Sequence, residues 1–306
     1  MKIFLTGAAG YIGGEIATRL RDAGHRVSGL VRPPMEAYAE QLHALGVEPV
    51  YGTLEDSELI GRLASESDAF INTANADHRG VVEVAIAAMR QSGKTLIQTS
   101  GSSITADLAG GNSTDAVYDD ETVVKPVPAR AARIALNDLV LAAATADGIR
   151  TMVIAPSMVY GQGSGVHKDS IQVPALIRVA RKFGAGCYIG NGENRWSNVH
   201  VADLADLYLQ VLFGAPAGAF YYVENGENSM REIAAAISRM LGFDGRTQSL
   251  SDADALAEFG EAMTRLSLGS NSRVRARRAH EELGWTRHRA TLQEEIERGS
   301  YARKNV

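Results

Sequence analysis

The segment Thr6-Gly7-Ala8-Ala9-Gly10-Tyr11-Ile12-Gly13 joins an apolar run, residues 2–6, to a helical period with Ile12, Ile16 and Leu20 on one face. A glycine turn placed directly between a first strand and a first helix leaves few folds open. Gly7 permits the tight turn, Gly10 lets backbone approach a pyrophosphate, and Gly13 lets the helix lie close on the sheet. The helix start then presents free N–H groups and partial positive charge to phosphates. The turn therefore reads as a dinucleotide site, with Gly7, Ala9, Gly10, Tyr11, Ile12 and Gly13 against the cofactor.

Up to residue 155, short apolar runs alternate with helical periods, the pattern of a parallel sheet wound with crossover helices. Strands are expected at 2–6, 25–31, 47–51, 69–72, 95–99 and 151–155. Helices are expected near 11–23, 36–45, 57–65, 81–91 and 129–146. Gly24 and Gly46 stop two of them, and Pro33-Pro34 ends the second strand. Residues 101–128 are rich in Gly, Ser, Thr and Asp and show little periodicity, which reads as a functional or mobile loop. Further on, helices are expected at 173–183, 201–213 and 230–241, a strand at 220–223, and a helical last fifty residues broken at Gly284-Trp285. The expected fold is α/β: a Rossmann-type doubly wound parallel sheet over 1–165, with a smaller mixed α/β substrate lobe over 166–306. The chain is expected to cross between the two.

Composition removes other classes. The 306 residues are 45% hydrophobic and 22% charged, which excludes wholesale disorder, and a net charge of −5 argues against a nucleic-acid partner. No apolar run approaches eighteen residues and the N-terminus lacks signal-peptide features, so a cytoplasmic protein without a membrane partner is expected. A single cysteine, Cys187, excludes an internal disulfide and any CxxC site, and reads as a half-buried hydrophobe. No His, Asp or Glu spacing suggests a metal, and no Gly-x-Ser-x-Gly elbow suggests a hydrolase.

Several further motifs, in order, resemble the extended branch of the short-chain dehydrogenase/reductase superfamily. The turn has its TGxxGxxG spacing. Gly52-Thr53-Leu54-Glu55-Asp56 is similar to the family's GDLxD segment beside the adenine, and Asn72-Thr73-Ala74-Asn75-Ala76 to the stretch beside the cofactor ribose. Thr99-Ser100-Gly101-Ser102-Ser103 occupies the fifth-strand serine position. Ala155-Pro156-Ser157-Met158-Val159-Tyr160-Gly161 is similar to the RPxxVYG segment over the nicotinamide. Asn198 to Ala205 and Glu282 to Trp285 match two epimerase-like signatures. The resemblance implies cofactor contacts at Thr53, Leu54, Thr73, Ala74, Asn75, Thr99, Pro156 and Ser157, and a helix-mediated homodimer. An acid normally ends the second strand to meet a free ribose 2′-hydroxyl; here Val31 stands in its place and Arg32 follows. A guanidinium suits a 2′-phosphate, so NADP(H) is expected over NAD(H).

The family's acid–base pair is a Tyr four residues before a Lys. The chain has six lysines against twenty-five arginines, and none of its ten tyrosines has Lys at that spacing. Alignment of the following helix puts Ala129 at the Tyr place and Arg133 at the Lys place, with the family serine at Gly101 or, one residue on, Ser102. Ala129 transfers no proton. Arg133 can bind a ribose hydroxyl and supply fixed charge, but it is no base near neutrality. The expected activity is NADP(H)-dependent hydride transfer to a small carbonyl or imine compound. Ser100 and Ser102 would orient the reacting group. Tyr118 and Tyr160 are proton-donor candidates with His78 and His200 behind them, and Arg195 is a candidate contact for a substrate phosphate. Two alternatives stand beside this reading: an epimerase or dehydratase that retains its cofactor, and a non-catalytic NADP(H) sensor.

Overall fold

The computed structural model describes residues 1–305. The first half alternates strand and helix: β1 (Lys2–Thr6), α1 (Tyr11–Asp22), β2 (Arg26–Val31), α2 (Glu36–Ala44), β3 (Glu48–Tyr51), α3 (Ser57–Glu66), β4 (Ala69–Asn72), α4 (Arg79–Met89) and β5 (Thr95–Thr99). After a 3₁₀ turn at Ser102–Thr105 come β6 (Tyr118–Asp119), α5 (Pro128–Ala146), β7 (Arg150–Pro156) and β8 (Met158–Tyr160). The second half holds α6 (Gln172–Phe183), β9 (Gly186–Ile189), β10 (Arg195–His200), α7 (Val201–Gly214), β11 (Ala219–Val223), β12 (Gly226–Ser229), α8 (Met230–Met240) and β13 (Thr247–Leu250). It closes with α9 (Asp252–Met263), β14 (Val274–Arg275), α10 (Arg277–Leu283), α11 (Leu292–Glu297) and α12 (Ser300–Asn305).

Seven parallel strands form the main sheet in the order β11-β7-β5-β4-β1-β2-β3. Side chains alternate across it. Ile3 and Leu5 point into one core with Ile16 and Leu20 of α1 and Leu204 and Tyr208 of α7. Phe4 points into the other, with Ile60 of α3, Val82 and Ile86 of α4, and Leu136 and Val140 of α5. Helices thus cover both faces, and the Rossmann-type α/β architecture read from the sequence is the one observed. Strand order reverses between β1 and β4, which opens a crevice at their carboxyl ends.

The remainder departs from local expectation. Residues 101–128 are not structureless: they contain the 3₁₀ turn and β6, whose Tyr118 N–H donates to the Arg273 carbonyl (2.9 Å) beside β14. The sequence reading missed β8, β10 and β12, which form a three-stranded sheet, and also β9 with β13. These strands are three to six residues long and pair with segments far away in the chain, so local periodicity carries little trace of them. Around them lies a further core that contains Cys187, Trp196, Ile233 and Ile237. The chain crosses back after it: α7 packs in the core with α1, and β11 is the edge strand of the main sheet.

Candidate active site

At the carboxyl ends of β1, β2 and β4 lies a cleft of about 450 Å³, lined by Gly7, Ala9, Gly10, Arg32, Leu54, Thr73, Ala74 and Asn75 among others. Its floor is built for close approach. Gly7 takes φ +78°, and a Cβ there would lie 2.6 Å from Thr73 Oγ1. A Cβ on Gly13 would collide with the Gly7 carbonyl oxygen. The first ladder bond of α1 runs from Gly14 N–H to the Gly10 carbonyl (2.8 Å), so the Tyr11 and Ile12 N–H groups precede it and face outward for an anion. The strand ends are fixed beneath by a buried network. Thr6 Oγ1 donates to Asn72 Oδ1, Asn72 Nδ2 donates to Gln98 Oε1 (2.8 Å), and Thr73 Oγ1 donates to the Thr6 carbonyl (2.7 Å). A glycine-only cradle at a helix start fits a dinucleotide's phosphates.

Arg32 stands exposed at the lip of this cleft with no side-chain hydrogen bond or ion pair among the described residues. Met35, Tyr38 and His167 line the same cleft and were not singled out from the sequence. His167 comes from a strap, residues 161–167, laid over α1. Tyr11 Oη donates to the Gly161 carbonyl (2.8 Å), and the Ser164 N–H and Oγ both donate to Glu15 Oε2 (2.6 Å each). The His167 N–H donates to the Ala9 carbonyl (3.3 Å), and the His167 ring meets Tyr38 edge-on at 5.0 Å. The Tyr11 side chain is thus an anchor for the strap, and only its backbone faces the cradle. Thr53 supports the cleft through its hydrogen bond to Glu55, while Leu54 lines it.

Beyond β4 and β5, Arg133 of α5 is the centre of a second group. Its Nε (2.7 Å) and Nη2 grip both carboxylate oxygens of Asp77, and its Nη1 donates to Ser103 Oγ (3.2 Å). The guanidinium holds the Asp77 carboxyl below its ordinary range. Arg130, one turn earlier, has a buried Nε with no partner among the described residues, and burial lowers its affinity for a proton. Ser100, just after β5, and Ser157, just after β7, each bury an Oγ without a partner among the described residues.

Other expected site residues lie elsewhere. Ser102 is 1% exposed and tied to Ser272, whose Oγ lies 2.8 Å from Ser102 Oγ, so Ser103 rather than Ser102 faces Arg133. Thr99 Oγ1 is bound to Tyr208 Oη (2.6 Å) within the core. Tyr160 is fully buried, donates to the Ala290 carbonyl (2.8 Å), and has its pKa pushed well up by burial; it reaches no open site. His200 caps α7, its Nδ1 accepting from the Ala202 N–H (3.1 Å), and burial lowers its pKa. Arg195 donates to Glu227 Oε1 (2.8 Å), a carboxylate that also binds Arg273 and Arg275. Tyr118 packs in a small cluster with Ile104, Ile134 and Tyr222. His78 caps α4 through Nδ1 (3.1 Å) and lines the dinucleotide cleft rather than a substrate pocket. Among the described residues no cluster could hold a metal ion, and no helix is long and apolar enough to cross a membrane.

A cradle, a switch-point cleft and strands in this order define a dinucleotide-binding α/β fold. Residues 71–218 match the model of the NAD dependent epimerase/dehydratase family, and residues 1–99 that of the NmrA-like family. The chain is 31% identical to oxidase ucsJ of an Acremonium species, over 97% of this chain and 95% of that protein. It is 26% identical to a farnesyl-dihydroquinoline-oxide ketoreductase of Stigmatella aurantiaca, over 87% of this chain and 81% of that one. In fold it is similar to the dTDP-glucose 4,6-dehydratase of Bacillus anthracis in complex with NAD, at TM-score 0.78 and 18% identity, covering 100% of this chain and 97% of that one. The chain belongs to the extended short-chain dehydrogenase/reductase family, in its epimerase/dehydratase-like branch. At family level it is an NAD(P)-dependent enzyme of the oxidoreductase, epimerase or dehydratase type.

Asp77, Ser103, Tyr38 and His167 escaped the sequence reading. One signal pointed to the first: an Arg in a buried Lys place calls for a carboxylate partner, and Asp77 is the acid closest after the ribose motif.

Proposed function

We propose that the protein is an NADP(H)-dependent oxidoreductase that transfers hydride to a small carbonyl or imine compound. The observation that supports it is Arg32, which has no side-chain partner among the described residues and stands at the lip of the glycine cleft where an acid would select NAD(H). When bound, the nicotinamide supplies the hydride. Gly7, Gly10 and the Tyr11 and Ile12 N–H groups would hold the phosphates, Arg32 the 2′-phosphate, and Thr73 to Asn75 the ribose side. Arg133 contributes fixed positive charge at the far end. Ala129 offers no proton there, so the substrate must either carry its own, as an iminium does, or leave its reduced oxygen anionic.

NADPH oxidation across aldehydes, ketones, enones and cyclic imines tests this reading. Turnover with one class is the expected result. Tight NADPH binding with no turnover by any class would contradict it and favour a sensor. The strap that sets His167 against Tyr38 at the cleft favours a second reading, an epimerase or dehydratase with retained cofactor. That reading requires nicotinamide absorbance in the purified protein.

A further inference from the structure

Nothing in the fold requires glycine at position 101. Its φ is 179°, extended backbone open to any residue. A Cβ built there would meet nothing nearer than Arg133 Nη1 at 3.6 Å, then Ser103 Oγ at 3.9 Å and the Pro156 carbonyl at 4.0 Å. Gly7 and Gly13 are glycine because the cradle leaves no room; at Gly101 a Cβ would sit in ordinary contact, so glycine there leaves a methyl-sized gap. Two donors border that gap, with the Pro156 carbonyl on its third side. Arg133 is clamped from behind by Asp77 and spends one of the two Nη1 protons on Ser103 Oγ. Ser103 Oγ accepts that bond, which leaves its own proton to give. Arg130 adds a second positive charge one turn away, coupled to both Arg133 and Asp77. Preset donors beside a methyl-sized gap, at the carboxyl end of a central strand, can stabilise a developing oxyanion.

We propose that Arg133 and Ser103 form an oxyanion site over Gly101, and that the substrate is a conjugated carbonyl, an enone, whose reduction leaves an enolate oxygen in it. The proposal rests on the reductase reading above. With a dihydronicotinamide as reductant, the enone gains hydride at its β-carbon, and a carbon–hydrogen bond forms there. The alkene π pair shifts toward the carbonyl, whose oxygen takes the negative charge, while the nicotinamide is oxidised. The enolate then takes a proton at its α-carbon from water. No protein acid takes part, in keeping with Ala129 where the family has tyrosine. Asp77 is a positioning residue that fixes the Arg133 plane.

The test uses 4-nitrophenol, a conjugated oxyanion when ionised and strongly coloured only then. Titrated with the purified protein, the bound probe should ionise about tenfold more readily than the free one, about one pKa unit. Arg133→Gln and Gly101→Val, the latter filling the open space, should each abolish the shift, and Ser103→Ala should weaken it. Asp77→Asn should reduce the shift while leaving the protein folded. No shift in the parent protein, or a full shift in both Arg133→Gln and Gly101→Val, would overturn the proposal. NADPH binding, followed separately by fluorescence, reads the reductase assignment: bound NADPH with no phenolate shift removes the oxyanion site alone, and failure to bind NADPH removes the reductase reading itself.

Discussion

By the resemblance to the short-chain superfamily, the places of its Ser, Tyr and Lys fall at Gly101 or Ser102, Ala129 and Arg133, and these residues are chemically consistent with one another. Gly101 gives no hydroxyl, Ala129 no phenol, and Arg133 a fixed charge in place of a proton-transferring group. In the proposed oxyanion site a fixed donor pair, Arg133 and Ser103, takes their place, with Asp77 as anchor. Tyr160 is the contrasting case. Its hydroxyl is bound to the Ala290 carbonyl in a fully buried setting, so Tyr160→Phe should cost about 1 kcal/mol of stability and leave NADPH affinity unchanged. Denaturant unfolding beside a fluorescence titration checks this; lost turnover at unchanged stability would return Tyr160 to the chemistry. Site residues were legible where backbone sets the role, as at Gly7 and Gly10. They were not legible where a side chain chooses among neighbours. Ser102 and Ser103 are adjacent and alike in sequence, and only the 3₁₀ turn sends one to Ser272 and the other to Arg133.

At the scale of elements, the β1–α1 turn and the start of α7 make opposite demands. The turn tolerates no side chain at Gly13. In Gly13→Ala the new methyl meets the Gly7 carbonyl, α1 is pushed from the sheet, and overpacking costs about 1–3 kcal/mol. NADPH affinity should fall at least tenfold, measured by titration; unchanged affinity would detach the cradle from the cofactor. The α7 start depends on a neutral histidine. His200 Nδ1 accepts the Ala202 N–H, and burial depresses its folded-state pKa below the ordinary 6.5. A depressed pKa means the unfolded chain takes up the proton first. His200 therefore contributes stability that is fully present above pH 6.5 and lost as pH falls toward and through the folded value. The melting temperature should drop below pH 6.5 more steeply than in His200→Asn, which keeps a capping oxygen without titrating. Parallel melting curves in the two proteins would contradict the assignment. Most main-sheet strands were read within a residue or two because buried parallel strands are apolar runs. β10, the segment Arg195–His200, was not, since its burial depends on β8 and β12 and leaves no local alternation.

Across the whole molecule, one sheet sets two sites side by side: a glycine cradle at the β1–β4 switch point and an arginine-centred group beyond β5. The second half of the chain then returns to the first through α7, β11 and the 161–167 strap. Such an arrangement couples cofactor occupancy to global stability. At NADPH one hundred times its Kd, folding should gain about 2.7 kcal/mol, visible as a rise of several degrees in melting temperature. A melting temperature indifferent to NADPH would contradict the coupling. The main sheet and its helices were legible, because they follow from periodicity and glycine placement; the three small sheets and the substrate end were not, because they depend on long-range pairing and on which of several charged side chains find one another. The central claim concerns the cofactor, and a calorimetric titration with NADPH and NADH tests it most directly. NADPH should bind at least tenfold more tightly, about 1.4 kcal/mol, and Arg32→Ala should bring the ratio close to one. Equal affinities in the parent protein, or tighter binding of NADH, would contradict it.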